Sequence, residues 1–173
     1  KDFIELARSK PGQLNYSSSG TGTITHLASA MLSSQMGLQT QHVPYKGSAP
    51  GLVDLAAGQT QFMIDTMNTV LPYVRDGRLR ALGVASLKRS ELLPDVPTLA
   101  ETIPGFENIG WFGLMAPTGT PQAIIKKIHD DSSKALQSPD FVQRLAQLGM
   151  VPYVRDPAAF AKTIKEESVL WGR

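Results

Sequence analysis

The sequence predicts an α/β chain with a mainly parallel sheet flanked by helices. Three observations predict it. Strand-like and helix-like segments alternate through short connections as far as Ser86. Gly37, Gly58 and Gly77 each follow a helical segment, where a helix end favours a left-handed residue. The strand-like runs Phe62-Met63-Ile64 and Ala81-Leu82-Gly83-Val84-Ala85 are nearly continuous in apolar side chains, as in a parallel sheet covered on both faces.

The first helix is expected over Asp2 to Ser9, with Ile4, Leu6 and Ala7 inward and Pro11-Gly12 stopping it. Gln13 to Ser18 reads as a strand running into the loop Ser17 to Thr23. The next helix runs to Met36 on an apolar stripe of Ile24, Leu27, Ala28, Met31 and Leu32. Gln41 to Pro44 reads as a strand, Ala49 to Ala57 as a helix, Gln61 to Thr66 as a strand, Asn68 to Asp76 as a helix and Leu79 to Ser86 as a strand. Lys88 to Gly110, with Pro94, Pro97 and Pro104, reads as a connection between lobes, carrying a short helix near Leu99 to Ile103. Trp111 to Ala116 is expected as a strand. Thr120-Pro121, Ser138-Pro139 and Asp156-Pro157 each read as a capping residue followed by proline at the first helical position. Those helices run to Leu136, to Leu148 with Gly149 as cap, and to the C-terminus with Phe160, Ile164 and Trp171 inward. Val151 to Val154 reads as a further strand. The division is 1–110 and 111–173.

Composition narrows the function. Of the 173 residues 42% are hydrophobic, enough for a core and too many for a disordered chain. No apolar run reaches the ~18 residues of a membrane helix. Without cysteine there is no disulfide scaffold, Cys-ligated zinc, iron–sulfur cluster or thiol nucleophile. Residues 1–110 hold nine basic and nine acidic side chains, and residues 111–173 eight and six. The one tight basic cluster, Arg75, Arg78 and Arg80, reads as a solvated helix end, so no nucleic-acid partner is expected. The chain begins with Lys rather than Met and is expected to be a processed or excerpted piece.

Ser17 to Thr23 carries the densest signal. It follows a strand, opens a helix, and holds Ser18, Ser19, Gly20, Thr21, Gly22 and Thr23. Amides at a helix start attract anions, and glycine lets a ligand approach the backbone. A plain capping loop fits the same residues. The loop lacks the Gly-Lys-Ser/Thr ending of a phosphate loop and the spacing of a dinucleotide fingerprint, so a carboxylate suits it better than a nucleotide, and no cofactor is expected. Tyr45, Lys46, Gly47 and Ser48 repeat the design at the next strand end. Asp65 and Thr66 close the third, where Asp65 meets a ligand amine or hydroxyl or caps the following helix. His26, one turn into the first of these helices, lines the site or packs. His42 and His129 have no neighbours of metal-ligand spacing, so no metal is expected. Asp130-Asp131 and Glu166-Glu167 read as solvated helix faces. A serine hydrolase using Ser18 or Ser19 with His26 is the alternative, but the Gly-x-Ser-x-Gly elbow and an orienting acid are missing.

Several strings together resemble a known family. They are Lys10-Pro11-Gly12-Gln13-Leu14-Asn15-Tyr16, Ser18-Ser19-Gly20 with Gly22-Thr23 and His26-Leu27, Val43-Pro44-Tyr45-Lys46-Gly47-Ser48-Ala49-Pro50, Asp76-Gly77-Arg78-Leu79-Arg80-Ala81-Leu82, Leu93-Pro94-Asp95-Val96-Pro97-Thr98 with Glu101, and Trp111-Phe112-Gly113-Leu114 with Ala116-Pro117. In that order they resemble the Bug-type periplasmic solute receptors of tripartite tricarboxylate transport systems. The resemblance implies a periplasmic-binding-protein-like (type II) fold of two lobes closing on a small organic anion. It implies that 1–110 is the ligand-binding lobe, and that 111–173 belongs to the other lobe, whose N-terminal part is missing. It implies a binding receptor rather than an enzyme, located in the periplasm and partnered by membrane transporter subunits. It places Ser18 to Thr23, Tyr45 to Ser48, Asp65 and Thr66 along the cleft. A lobe lacking its first half would leave Ile124, Ile128, Phe141, Leu145, Phe160 and Trp171 uncovered, so a homodimer, with or without exchanged C-terminal elements, is expected ahead of a fold-back onto the first lobe or of a longer native chain that supplies the cover.

Overall fold

The structure, a computed structural model, describes residues 1–172. They form two compact units, Lys1–Gly110 and a second that begins at Trp111.

In the first unit helix α1 (Asp2–Ser9) leads into strand β1 (Leu14–Ser18). Ile4 and Ala7 are buried, but Leu6 is exposed. Two residues on from Ile4 is roughly 200° around a helix, so Leu6 cannot share the face of Ile4 and Ala7. Helix α2 (Ile24–Met36) crosses over to strand β2 (Thr40–Pro44), which pairs with β1 in parallel, Tyr16 opposite His42 and Ser18 opposite Pro44. Gly37 ends α2 at φ 62°, the left-handed cap its position predicts. The buried face of α2 differs from the expected stripe. It is Thr25, Ala28, Ser29, Leu32 and Ser33, while Ile24, Leu27 and Met31 are half-buried. Small side chains there let helix and strands approach. Their hydroxyls are satisfied locally: Ser29 Oγ donates to Thr25 O at 2.9 Å, and Ser33 Oγ lies 2.8 Å from Thr40 Oγ1.

Helix α3 (Ser48–Ala56) lies against β1, and Gly51 is the reason it can. A Cβ on Gly51 would sit 3.3 Å from Tyr45 Cδ2 and 3.4 Å from Ser17 Cβ. Helix α4 (Met67–Arg75) follows. The expected strand Gln61 to Thr66 shrinks to a single parallel bridge between Tyr16 and Phe62. The backbone joins β1 there through Gln61 N–H to Asn15 O at 2.8 Å and Ser17 N–H to Phe62 O at 3.1 Å. The Asn15 amide bonds the Gln61 side chain instead of a backbone carbonyl, so the ladder does not extend. The expected strand Leu79 to Ser86 likewise reduces to a bridge between Val84 and Thr98. Gly83 makes room for it, since a Cβ there would lie 2.7 Å from Leu99 Cδ2. The only regular sheet among the described residues is therefore the β1–β2 pair.

The segment read as a connection between lobes also contributes to the first unit's core. Ile103 and fully buried Phe106 join Ile4, Ala7, Leu14, Tyr16, Leu32, Leu38 and Phe62. A 3-10 turn at Leu99–Glu101 replaces the expected short helix and is held by a capping box with Thr98. Arg89 grips Glu101 with two nitrogens at 2.8 Å, folding the proline-rich stretch back on itself.

The second unit holds helices α5 (Gln122–Leu136), α6 (Pro139–Gln147) and α7 (Pro157–Trp171). Proline opens α6 and α7 at the first helical position as expected, and Asp156 Oδ1 accepts the Ala159 amide at 2.9 Å. In α5, however, Pro121 is itself the cap, and the Thr120 hydroxyl turns back to Pro117 O. The expected strands at Trp111 to Ala116 and Val151 to Val154 have no strand partner among the described residues, and their side chains are largely exposed. Trp111 packs edge-on to Phe160 at 5.0 Å, and the bare backbone of Gly113 lies against the same ring. Trp111 Nε1–H donates to Glu167 at 2.8 Å, so Glu167 is not the free solvated carboxylate expected of it. Asp130, Asp131 and Glu166 do lie on solvated faces, paired to Lys126, Lys127 and Lys162 four residues earlier. No described residue beyond Phe106 is buried, and Ile164, expected inward, is exposed.

Two outcomes follow from this packing. Gly51→Val overpacks the α3–β1 contact and lowers stability by about 1–3 kcal/mol in urea unfolding, with folding retained. The Arg89 hydrogen bonds and the Thr98 amide hold the Glu101 carboxyl down at about 2. A depressed carboxyl stabilises the fold above its unfolded value of about 4.3 and loses that contribution as the pH falls toward the folded value. NMR titration should find Glu101 still ionised at pH values where ordinary glutamates are neutral, and Arg89→Ala should return it to the ordinary range.

Candidate functional site

The β1–β2 register decides what meets what. Ser18 opposite Pro44 ends both strands at one level, so the loops after them leave side by side. They are zipped by backbone bonds, Tyr45 N–H to Ser18 O and Gly47 N–H to Ser19 O, each 3.1 Å. The starts of α2 and α3 are thereby neighbours. Gly47 caps α3 at φ 103°, and Gly20 and Gly22 stand at φ 138° and 78°, conformations that other residues rarely adopt. The Tyr16–Phe62 bridge lays the third segment along β1, so Asp65 and Thr66 emerge at the same end.

Within the first loop most amides are already engaged. Ser19 N–H donates to Thr25 Oγ1 at 2.8 Å, Gly20 N–H to Ser18 Oγ at 3.2 Å, Gly22 N–H to His26 Nδ1 at 3.2 Å and Thr23 N–H to Gly20 O at 3.3 Å. Thr23 caps α2, its Oγ1 accepting the His26 amide and donating to Gly20 O at 2.6 Å. Gly20 and Gly22, expected to turn their amides toward a ligand, thus bind side chains of their own loop. Among the described residues, the backbone amides here without a partner are those of Thr21, Ile24 and Thr25, grouped at the positive end of α2.

The second loop contributes differently. Lys46 is exposed, Gly47 and Ser48 are half-buried, and Tyr45 Oη donates to Asp54 Oδ2 at 2.7 Å. That bond raises the phenol's pKa, so Tyr45 stays neutral and is held by α3. At the third strand end Asp65 Oδ1 accepts the Thr66 amide at 2.7 Å, and Thr66 is the N-cap of α4. Asp65 does not reach into the helix as a cap. Its Oδ2 is buried with no hydrogen-bond partner.

His42, given no role from sequence, is central. Its Nε2 lies 2.6 Å from Ser18 Oγ, and its ring stacks with Tyr16 at 5.0 Å and with His26 at 4.0 Å. Burial, and then His26, lower the pKa of His42, while burial raises that of Tyr16. Ser18 Oγ has one proton and three polar neighbours. The arrangement that satisfies all of them has His42 Nε2–H and Gly20 N–H donating to Ser18 Oγ, which donates to Gly20 O. A serine nucleophile needs the ring as acceptor and an open approach, whereas Ser18 is fully buried and pairs with His42, not with His26. Ser19 Oγ bonds Thr25 Oγ1 at 2.9 Å. No cluster of three or more metal-ligating side chains occurs among the described residues. His42 was findable only through the register that places it opposite Tyr16. Nothing in Gln41-His42-Val43 shows this locally.

Removing the Ser18 hydroxyl strands the Gly20 amide and a half-buried imidazole N–H. Ser18→Ala should therefore lower stability by about 1–3 kcal/mol in urea unfolding, while the exposed Thr21→Ala stays within about 0.5 kcal/mol of the parent.

The chain matches the tripartite tricarboxylate transporter family receptor over residues 1–173. It is 41% identical over 171 residues to a protein encoded in the tcbD–tcbE intergenic region of a Pseudomonas species, covering 98% of this chain and 51% of that one. It is 35% identical over 170 residues to protein BugT of Bordetella pertussis, covering 98% and 52%. The chain spans about half the length of these curated relatives. Among solved structures, R. palustris Rpa4515 with adipate superposes at a TM-score of 0.94 with 34% identity, covering 99% of this chain and 57% of that one. MatC of Rhodopseudomonas palustris with bound malate gives 0.90 and 34%, covering 98% and 59%. The periplasmic binding protein BugD gives 0.90 and 32%, covering 98% and 58%. These neighbours are binding receptors, and the parallel α/β arrangement is that of periplasmic binding proteins. Matched by the family along its whole length and folded like these solved neighbours, the chain belongs to the receptor family of the tripartite tricarboxylate transporters.

Proposed function

We propose that the protein is an extracytoplasmic receptor that captures a small carboxylate-bearing metabolite without turning it over. In this reading it delivers the metabolite to a tripartite tricarboxylate-type membrane transporter from the periplasm. The observation that carries the reading is the pair of zipped loops at the ends of β1 and β2. They set the open amides at the start of α2 beside Lys46, Gly47 and Ser48 at the start of α3. Fixed N–H groups and hydroxyls of this kind replace the hydration shell of a carboxylate. Adipate and malate in the structural neighbours support that ligand class. In this reading Ser18 and Ser19 position the loop, Thr21 and Thr23 border the anion, and Lys46 supplies charge. Asp65 and Thr66 face the ligand's remaining polar groups, and the rest of the receptor completes the cleft.

Calorimetry of the intact protein against di- and tricarboxylates should find a ligand. Gly20→Val brings a side chain within 3.4 Å of Tyr45 O at a left-handed φ. It should weaken binding by at least about tenfold with the fold retained, as judged by circular dichroism. Unchanged affinity would reduce the loop to a helix cap. Ester hydrolysis that vanished in Ser18→Ala would replace the receptor reading with an enzymatic one.

A further inference from the structure

We propose that His26 is a proton-operated latch on the carboxylate loop. Unprotonated, it holds the Gly22 amide away from the ligand; protonated, it releases that amide and adds a positive charge beside it. The geometry of one bond requires the first half. Gly22 N–H can only donate, so His26 Nδ1, 3.2 Å away, must carry a lone pair. Adding a proton at Nδ1 sets two donors against each other, and the contact cannot survive. The rest of the loop keeps its anchors, since Ser19, Gly20 and Thr23 bond Thr25, Ser18 and Gly20 rather than the ring. Protonation therefore frees the loop tip, Thr21 and Gly22, and leaves the base in place.

The surroundings make the latch responsive. His26 on α2 stacks on His42 of β2 at 4.0 Å, and Tyr16 of β1 lies beside both rings, 5.0 Å from His42 and 6.3 Å from His26. These are the titratable groups that face the pair. Tyr16 stays neutral, Ser18 and Phe62 bring no charge, and neither imidazole forms an ion pair with a carboxylate among the described residues. With no carboxylate to fix a protonated form, one ring's charge acts directly on the other. Burial, and then the His26 charge, hold His42 toward its neutral state. A charged His26 in the first turn of α2 opposes the helix dipole, and an anion bound at the same turn offsets that cost. Protonation and carboxylate binding are thus linked and favour one another.

Two-dimensional NMR of the intact, ligand-free protein tests the latch itself. Across about pH 8 to 5 the Gly22 amide should move with the His26 ring at a shared midpoint, and His26→Gln, which can accept the amide but does not titrate, should leave Gly22 still. A Gly22 amide that stays fixed while His26 titrates, or that moves equally in His26→Gln, overturns the proposal. The effect on affinity rests on the carboxylate reading above and is measured with adipate and malate as probes. From about pH 8 to about pH 6 the parent should tighten by about threefold or more, and His26→Gln should stay flat. Failure of both acids to bind, with the Gly22–His26 titration intact, would overturn the carboxylate reading for these acids and leave the latch standing. A pH slope in binding that persists in His26→Gln would overturn the latch.

Discussion

The parallel pairing of β1 with β2 is the constraint on which the first unit depends. β1 is buried on both faces along nearly its whole length, so a slip by one residue would exchange the large and small side chains that its two faces present to the core. That register sets Ser18 against Pro44, and with it the meeting of the two glycine loops. It sets Tyr16 against His42, and so builds the stack that reaches His26. It also places the Phe62 bridge, and hence the level at which Asp65 leaves the sheet. The small side chains of α2 and Gly51 of α3 serve the same end, letting both helices close on the pair so that their starts converge.

The loops show how the proposed binding site would be kept rigid before a ligand arrives. Amides left free in a flexible loop would have to be ordered on binding, at a cost in affinity. Here four of the loop's amides are tied to hydroxyls, a carbonyl and an imidazole, and the open ones belong to the helix start, where the backbone is already fixed. Ser18 is the knot, since the Gly20 backbone and His42 both converge on its hydroxyl. The site is therefore specified as much by buried residues that meet no ligand as by the exposed ones that border it.

The second unit is built by different means. Its helices are well formed, with prolines and caps at their starts and ion pairs along α5 and α7, yet none of its described side chains is buried. Local signals suffice to form a helix. Burial of its apolar face needs a partner surface, and Ile124, Ile128 and Phe141 remain exposed. The segment after Trp111 likewise has the composition of a strand and no neighbouring strand among the described residues. It is attached through the seat of Phe160 between Trp111 and Gly113 and the Trp111 hydrogen bond to Glu167.

The amino-acid sequence by itself determined the local features: most of the helices and their caps, β1 and β2, the glycine loops at strand ends, and the ordered strings that place the chain in its family. These depend on neighbours within a few residues, where backbone sterics and capping act. Only the tertiary structure decided how much sheet forms. Phe62 to Ile64 and Ala81 to Ala85 have strand composition, yet a Gln61 side chain occupies the Asn15 amide and the proline-rich stretch supplies Val84 with its bridge partner Thr98. The tertiary structure also decided that Ile103 and Phe106 enter the core, and that Glu167 serves Trp111. It turned the Gly20 and Gly22 amides inward and raised His42 to the centre of the site. Each of these is settled by a contact between residues far apart in the chain. Such contacts follow from register and packing, which no local pattern of residues records.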